Sequence, residues 1–200
     1  MGQDSGARVS GTKSTELSES RLKLVHVVQG IAQEAAGPSY SIPRLCQSLA
    51  LLGDDVQLST LEARGAISGV RLQLYSQWQF WRSFGVSPDL AQALHRNASE
   101  VDIIHNHGLW AMVNVAAGWV TPGRRAKLVT SPRGTLSAWA LNRSSRKKAM
   151  LWPLQRRALT HAAMLHATSE VEYQEIRAKG LKAPTLIVPN GIDIPNISLE

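Results

Sequence analysis

From position 21 onward, short apolar runs alternate with helical apolar patterns, and this alternation constrains the fold more than any other feature. Runs at 22–28, 56–61, 70–75, 101–105, 127–131, 164–168 and 185–188 read as strands. Between them, Ser41-Ile42-Pro43 opens a helix with Ile42, Leu45, Cys46, Leu49 and Leu52 on one face, and Gly53 stops it. Ser87-Pro88-Asp89 opens the next helix, and 109–118 is predicted helical. A long basic helix follows over 145–161, and Ser169 to Glu172 has capping-box spacing ahead of a last helix ended by Gly180. Strands apolar on both faces and joined by helices predict a parallel sheet covered on each side. The fold class is α/β, a Rossmann-like doubly wound domain spanning 21–195. Residues 1–20 are rich in Ser, Gly, Thr and charge, and read as a disordered polar tail.

Bulk properties narrow the function. No apolar stretch reaches the roughly 18 residues that span a bilayer, and the first residues show no apolar h-region, so a secretory signal is not expected. The single cysteine, Cys46, excludes an intrachain disulfide and a cysteine metal cluster, which suits a reducing cytoplasm. The net charge of +7 comes largely from Arg124-Arg125-Lys127 and the basic helix. That helix mixes Arg146, Lys147, Lys148, Arg156 and Arg157 with Trp152. It reads as solvated on one face and packed on the other, giving at most a weak, electrostatic contact with an anionic membrane and no nucleic-acid site.

Doubly wound sheets bind ligands beyond the carboxyl ends of their strands. After the first strand come Gly30 and then Ala36-Gly37-Pro38-Ser39-Tyr40. A glycine and a rigid proline before a helix N-terminus let a polar ligand approach backbone N–H groups, although a plain turn reads equally well. Neither G-x-G-x-x-G nor G-x-x-x-x-G-K-[ST] is present, which disfavours a nicotinamide oxidoreductase. In His105-Asn106-His107-Gly108 the histidines share one face of the strand and Asn106 takes the other. Such residues suit hydrogen bonds to sugar hydroxyls. A metal site lacks a third ligand by motif, so no metal is expected. Arg133, in Ser131-Pro132-Arg133-Gly134, carries a planar cationic fork suited to phosphate or carboxylate, with a solvated turn arginine as the alternative.

Taken together, six strings resemble family 4 of the retaining GT-B glycosyltransferases, in a subgroup of exopolysaccharide and lipopolysaccharide synthesis. They are Gly37-Pro38-Ser39-Tyr40-Ser41-Ile42-Pro43-Arg44-Leu45, Asp102-Ile103-Ile104-His105-Asn106-His107-Gly108-Leu109-Trp110, Ser131-Pro132-Arg133-Gly134, Trp139-Ala140-Leu141-Asn142, His166-Ala167-Thr168-Ser169-Glu170 and Val188-Pro189-Asn190-Gly191-Ile192-Asp193. The resemblance implies the N-terminal, acceptor-side half of a GT-B enzyme, with the C-terminal donor domain and its E-x7-E motif absent from this chain. It implies a nucleotide-sugar donor, a saccharide or lipid-linked acceptor, no cofactor or metal, and a cytoplasmic protein, peripheral at most at the inner face of the plasma membrane. The 200 residues alone are then expected to transfer no sugar. By motif position His107 is the catalytic residue near the reacting centre. Gly37, Ser39, Tyr40 and Asn106 are substrate-binding positions, as are Arg133, Ser169, Glu170, Asn190 and Gly191. The chain has Ala36 where relatives have a second glycine, so an added methyl should restrict approach to the loop. His107, at a strand end facing a cleft, is expected to leave little cavity when truncated, whereas His105 is expected to serve stability. A non-catalytic Rossmann-like module binding a saccharide or partner is the alternative.

Overall fold

The structure, a computed structural model, describes residues 21–33 and 36–193; the expected tail over 1–20 lies outside them. Seven parallel strands form one sheet: β1 (Lys23–Val28), β2 (Asp55–Thr60), β3 (Arg71–Leu74), β4 (Ile103–His107), β5 (Lys127–Ser131), β6 (Met164–Ala167) and β7 (Thr185–Ile187). Their order is β3-β2-β1-β4-β5-β6-β7. The chain steps outward from β1 to β3, then returns to the other side of β1 as β4. That reversal opens a crevice at the carboxyl ends of β1 and β4. The Rossmann-like, doubly wound reading therefore holds.

The connecting helices are α1 (Gly37–Leu51), α2 (Pro88–Asn97), α3 (Met112–Val120), α4 (Ala138–Asn142), α5 (Ser145–Thr160) and α6 (Glu170–Ala178), with a 3-10 segment at Gln79–Phe84. None among the described residues is long and apolar enough to cross a membrane. Alternation along each strand splits the core in two. Ile42 and Cys46 of α1 pack with Leu24, Val28, Val56 and Leu58 on one face. On the other, Val25, Val27, Ile104, Leu128 and Leu165 meet residues of α2, α3, α5 and α6, such as Leu90, Val113, Leu159 and Ile176.

The α1 face departs from the expectation of a sheet covered on both sides. Leu45, Leu49, Ile103, Val129, Met164 and Leu186 line an apolar groove of about 280 Å³, and Leu186 stays 52% exposed. Helix α1 lies over β1 and β2, and among the described residues no helix covers the far strands on this face.

Three boundaries differ for local reasons. Helix α1 begins at Gly37, not at Ser41, because Pro38 in its first turn needs no donor partner. Pro43 therefore sits inside the helix, where its missing N–H leaves the Ser39 carbonyl without that bond. Strand β4 runs two residues further than expected, as its pairing with β1 starts at Leu24 beside Ile103 and ends at Val28 beside His107. Helix α3 starts late since Gly108 (φ 85°) and Trp110 (φ 75°) hold left-handed backbone that no helix accepts.

Helices α3 and α5 touch backbone to backbone at Gly118. A Cβ built there would sit 2.6 Å from the Ala158 carbonyl oxygen and Cβ. Gly118→Ala should force the helices apart and cost about 3 kcal/mol, read as a lower denaturation midpoint with an unchanged slope. An unshifted midpoint would show that the two helices are not held in this contact.

Candidate functional site

A cleft of about 290 Å³ opens at the β1–β4 reversal. Its walls come from Gln29 and Gly30 after β1, Ala36, Pro38 and Ser39 at the start of α1, His107 and Gly108 at the end of β4, and Arg133 after β5. The N-cap Ala36 makes no side-chain cap bond, Pro38 has no N–H and Ser39 N donates to the Ala36 carbonyl, so what the first turn of α1 offers the cleft is its positive dipole end. The Ala36 methyl is part of the wall. A Cβ at Gly37 would meet nothing within 4 Å, so no atom of this chain requires glycine there.

Arg133 stands between this cleft and a second cavity of about 200 Å³ lined by Tyr40, Arg44, His166, Asn190, Gly191 and Asp193. Its backbone is left-handed (φ 56°), a conformation that costs a non-glycine residue on the order of 1 kcal/mol or more. A buried carboxylate fixes this turn. Glu172 of α6, 3% exposed, accepts from Gly134 N (2.7 Å), Thr168 N (2.7 Å) and Thr168 Oγ1 (2.8 Å). Ser169 caps α6 by accepting from Glu172 N, and the Glu172 side chain reaches across to the β5 loop instead of completing a capping box.

The guanidinium is thereby aimed at two partners. Nη1 donates to Asn190 Oδ1, and Nη2 donates to His107 Nδ1 at 3.3 Å. Burial lowers the Arg133 pKa, with Glu172 acting against the shift, yet a guanidinium stays charged. Its Nε and the neighbouring Ser131 Oγ are buried without a hydrogen-bond partner. Two orphaned polar atoms beside a cation mark a place for a polar, electron-rich group.

His107 continues the chain of bonds inward. Its ring lies 2.9 Å, Nε2 to Nδ1, from His26 on β1. Arg133 can only donate, so His107 Nδ1 accepts and its proton sits on Nε2, given to His26. The His105 ring centre lies 4.0 Å from that of His107, tilted by 35°, and its Nε2 lies 3.4 Å from His166 Nδ1, whose Nε2 donates to the Val188 carbonyl. All four imidazoles are held below their ordinary pKa, first by burial. For His26 burial and the Arg133 charge bring it to about 3.

The fold thus supplies the third histidine that the sequence motif lacked. Ring nitrogens of His26, His105 and His107 all lie within 4.8 Å of one another, close enough for one cation. The surroundings oppose it. A cation would displace the proton shared by His107 and His26, and face the Arg133 charge on the far side of the same ring. Metal-binding histidines instead donate their second N–H to an acceptor.

Of the positions picked from the sequence, His107, Ser39 and Arg133 line the cleft; Tyr40, Asn190, Gly191 and again Arg133 line the second cavity. Gly37 starts α1 between them. Asn106 lies on the opposite sheet face, 2% exposed, and accepts from Asn114 Nδ2 at 2.7 Å. Its role is to hold α3, and Asn114, also bonded to the His107 carbonyl, reaches the cleft in its place. Ser169 and Glu170 are exposed and line neither cavity; Glu170 bonds Gln174 along its own helix. His26 and Glu172 were missed. His26 lies inside an apolar strand run, where a polar group on a buried face is the signal, and Glu172 shows in the sequence only the spacing of a capping box.

Residues 36–191 match the family of glycosyl transferase 4-like domains. The chain belongs to that family. No curated protein matches it. Among solved structures this glycosyl transferase 4-like domain resembles HepE of Anabaena in complex with UDP and glucose, at 18% identity and a TM-score of 0.60, over 86% of this chain and 45% of that one. It also resembles a sucrose-phosphate synthase from Thermosynechococcus elongatus (14% identity, TM-score 0.64, 86% of this chain and 49% of that one). A putative UDP-N-acetylglucosamine 2-epimerase from Listeria monocytogenes matches at 11% identity and TM-score 0.54, over 81% and 43%. The chain thus spans about half the length of these three structures. The epimerase shows that the shared fold does not by itself fix the reaction.

Proposed function

We propose that the chain is the acceptor-side domain of a retaining glycosyltransferase that moves a sugar from a nucleotide-sugar to a saccharide or lipid-linked acceptor in cell-surface polysaccharide synthesis. The observation that carries this reading is the Arg133–His107–His26 chain at the wall of the β1–β4 cleft, opposite the uncapped start of α1. Helix N-termini favour anionic groups, so the first turn of α1, with Gly37 and Ser39, faces the donor phosphates. The remaining grip on the donor belongs to a second domain outside these residues. His107 meets the transferred sugar. Both its ring nitrogens are engaged, so a substrate hydroxyl takes over the longer Arg133 contact, which frees that guanidinium for the acceptor side and its partner Asn190. Tyr40 and Gly191 line the same second cavity.

In the retaining reaction the bond from sugar carbon to phosphate oxygen breaks, the acceptor oxygen bonds to that carbon from the same face, and the hydroxyl proton passes to the leaving phosphate. No carboxylate base is required, and no resident metal. Glu62 is the carboxylate of the cleft wall, already bound by Gln77 and Arg82 at 3.2 and 3.1 Å. The protein works in the cytoplasm, peripheral at the inner face of the plasma membrane.

The deciding experiment assays the active protein against UDP-, GDP- and dTDP-sugars and reads the product's anomeric configuration by NMR. Retention is expected, with Glu62→Gln close to full activity. An inverted product together with a dead Glu62→Gln variant would make Glu62 the base and overturn the proposal.

A further inference from the structure

The molecule carries a second surface feature that the cleft does not explain. The 3-10 segment Gln79–Phe84 buries none of its residues. Phe80 is 92% exposed, Trp81 47%, and Trp78 just before them 58%. Helix α4 adds Trp139 at 73% and α5 adds Met150 at 64%. These segments are tied together. Lys147 of α5 donates to the Ser83 carbonyl and stands 4.1 Å from the Phe84 ring centre. Trp81 lies 5.6 Å from Phe84 and 6.0 Å from Phe80, and the Arg143 guanidinium sits 5.8 Å from the Trp139 ring. Neither 75–86 nor 137–157 contains an Asp or Glu, whereas Arg82, Arg143, Arg146, Lys147 and Lys148 all fall within them.

We propose that this face docks on an anionic lipid bilayer, with Phe80, Trp81 and Trp139 entering the headgroup boundary and the surrounding cations meeting lipid phosphates. A clustered aromatic surface of this kind marks an interaction site. Its rim decides the partner. Aromatic rings sit favourably at the membrane interface, and the cations among them are attracted to anionic headgroups. The basic helix is not itself the inserting element. Trp152 packs inward with its ring centre 6.0 Å from that of Trp110, and Leu151, Ala158 and Leu159 are buried. Contact therefore differs from a purely electrostatic one, in which salt would remove all binding.

Placement connects this surface to the site. The aromatic segment follows β3 and the α4–α5 segment follows β5, at the carboxyl end of the sheet where the cleft opens. Arg82 of the aromatic segment bonds Glu62 of the cleft wall. Resting on the proposed transferase reading, a lipid-borne acceptor in that bilayer would arrive beside His107. Docking itself needs no catalysis, so it is tested without it.

The test is co-sedimentation of the full chain with vesicles of phosphatidylglycerol and phosphatidylcholine, and with phosphatidylcholine alone, at low and high salt. Binding to the anionic vesicles is expected, weakened but not abolished by salt. Phe80→Ser with Trp81→Ser should weaken partitioning about tenfold at either salt, because buried apolar area drives insertion. Arg143→Gln with Arg146→Gln should remove much of the salt-sensitive part. Circular dichroism checks that each variant folds. No binding to anionic vesicles, or binding untouched by the serine pair, overturns the proposal. So does a wild-type chain that sediments as a dimer and becomes monomeric on the serine substitutions, which would assign the patch to a second copy. Sugar transfer, assayed separately, reports on the reaction alone.

Discussion

Truncating His107 to alanine in the active protein should lower turnover by about 10²-fold or more, and should lower the melting temperature as well. The catalytic half rests on its place at the cleft wall, where its ring bridges Arg133 and His26. The stability half reverses an expectation from sequence. A strand-end residue facing a cleft should leave little cavity, but His107 is only 1% exposed. Alanine would leave His26 Nδ1 without its donor and open a void against His105, a cost of about 3 kcal/mol. His105→Ala should behave more mildly. That ring is half-buried, borders the open apolar groove and holds one long contact of 3.4 Å. Steady-state kinetics and thermal melting on both variants decide the matter. If His107→Ala keeps near-normal turnover while His105→Ala loses it without melting earlier, the catalytic role belongs to the other histidine.

The reason His105 and His107 differ shows what the sequence does and does not make legible. Strand–helix alternation and the turn residues specify the sheet, because period and breakers are local properties. Ser87 caps α2 through Leu90 N, and Lys127–Ser131 is a strand with the bounds its apolar run predicts. The strand-end rule then points to His107 and Arg133, since it needs only strand positions. Bonds between elements are another matter. His26 pairs with His107 across 81 residues and Glu172 with Gly134 across 38, and nothing in either local pattern signals the partner. Asn106 lies away from the cleft for a simpler cause. Alternation already put it opposite the histidines, although an amide at a strand end suits sugar hydroxyls, and there it bonds Asn114. The short α4 and the aromatic 3-10 segment have too few residues for a period to be read.

Acid should unfold this protein over a range where most domains of its size are still stable. Burial, together with the Arg133 charge, holds His26 at about 3, while burial and then the neighbouring imidazoles, with Arg133 behind them, hold His105 and His107 well below the ordinary value. In the unfolded chain each titrates near 6.5. Between those values the unfolded state binds more protons, so stability rises with pH across the interval. It is fully present above about 6.5 and is lost as pH falls, for His26 down to about 3. Each such histidine removes about 1.4 kcal/mol per pH unit once well below 6.5. Three together remove about 4 kcal/mol per unit, against a total of about 5–15 kcal/mol for a typical domain. Unfolding is therefore expected at mildly acid pH, above the range in which the ion-paired Asp102 and Asp193 take up protons. Urea titrations at about pH 7.5, 6.5 and 5.5 measure the slope. His26→Gln removes one titrating ring and retains hydrogen-bonding capacity toward His107, so its slope should fall by about a third. A stability that stays level from about pH 7.5 to 5.5 would mean that the rings take up protons in place, and that the dry, Arg133-capped cluster does not persist in solution.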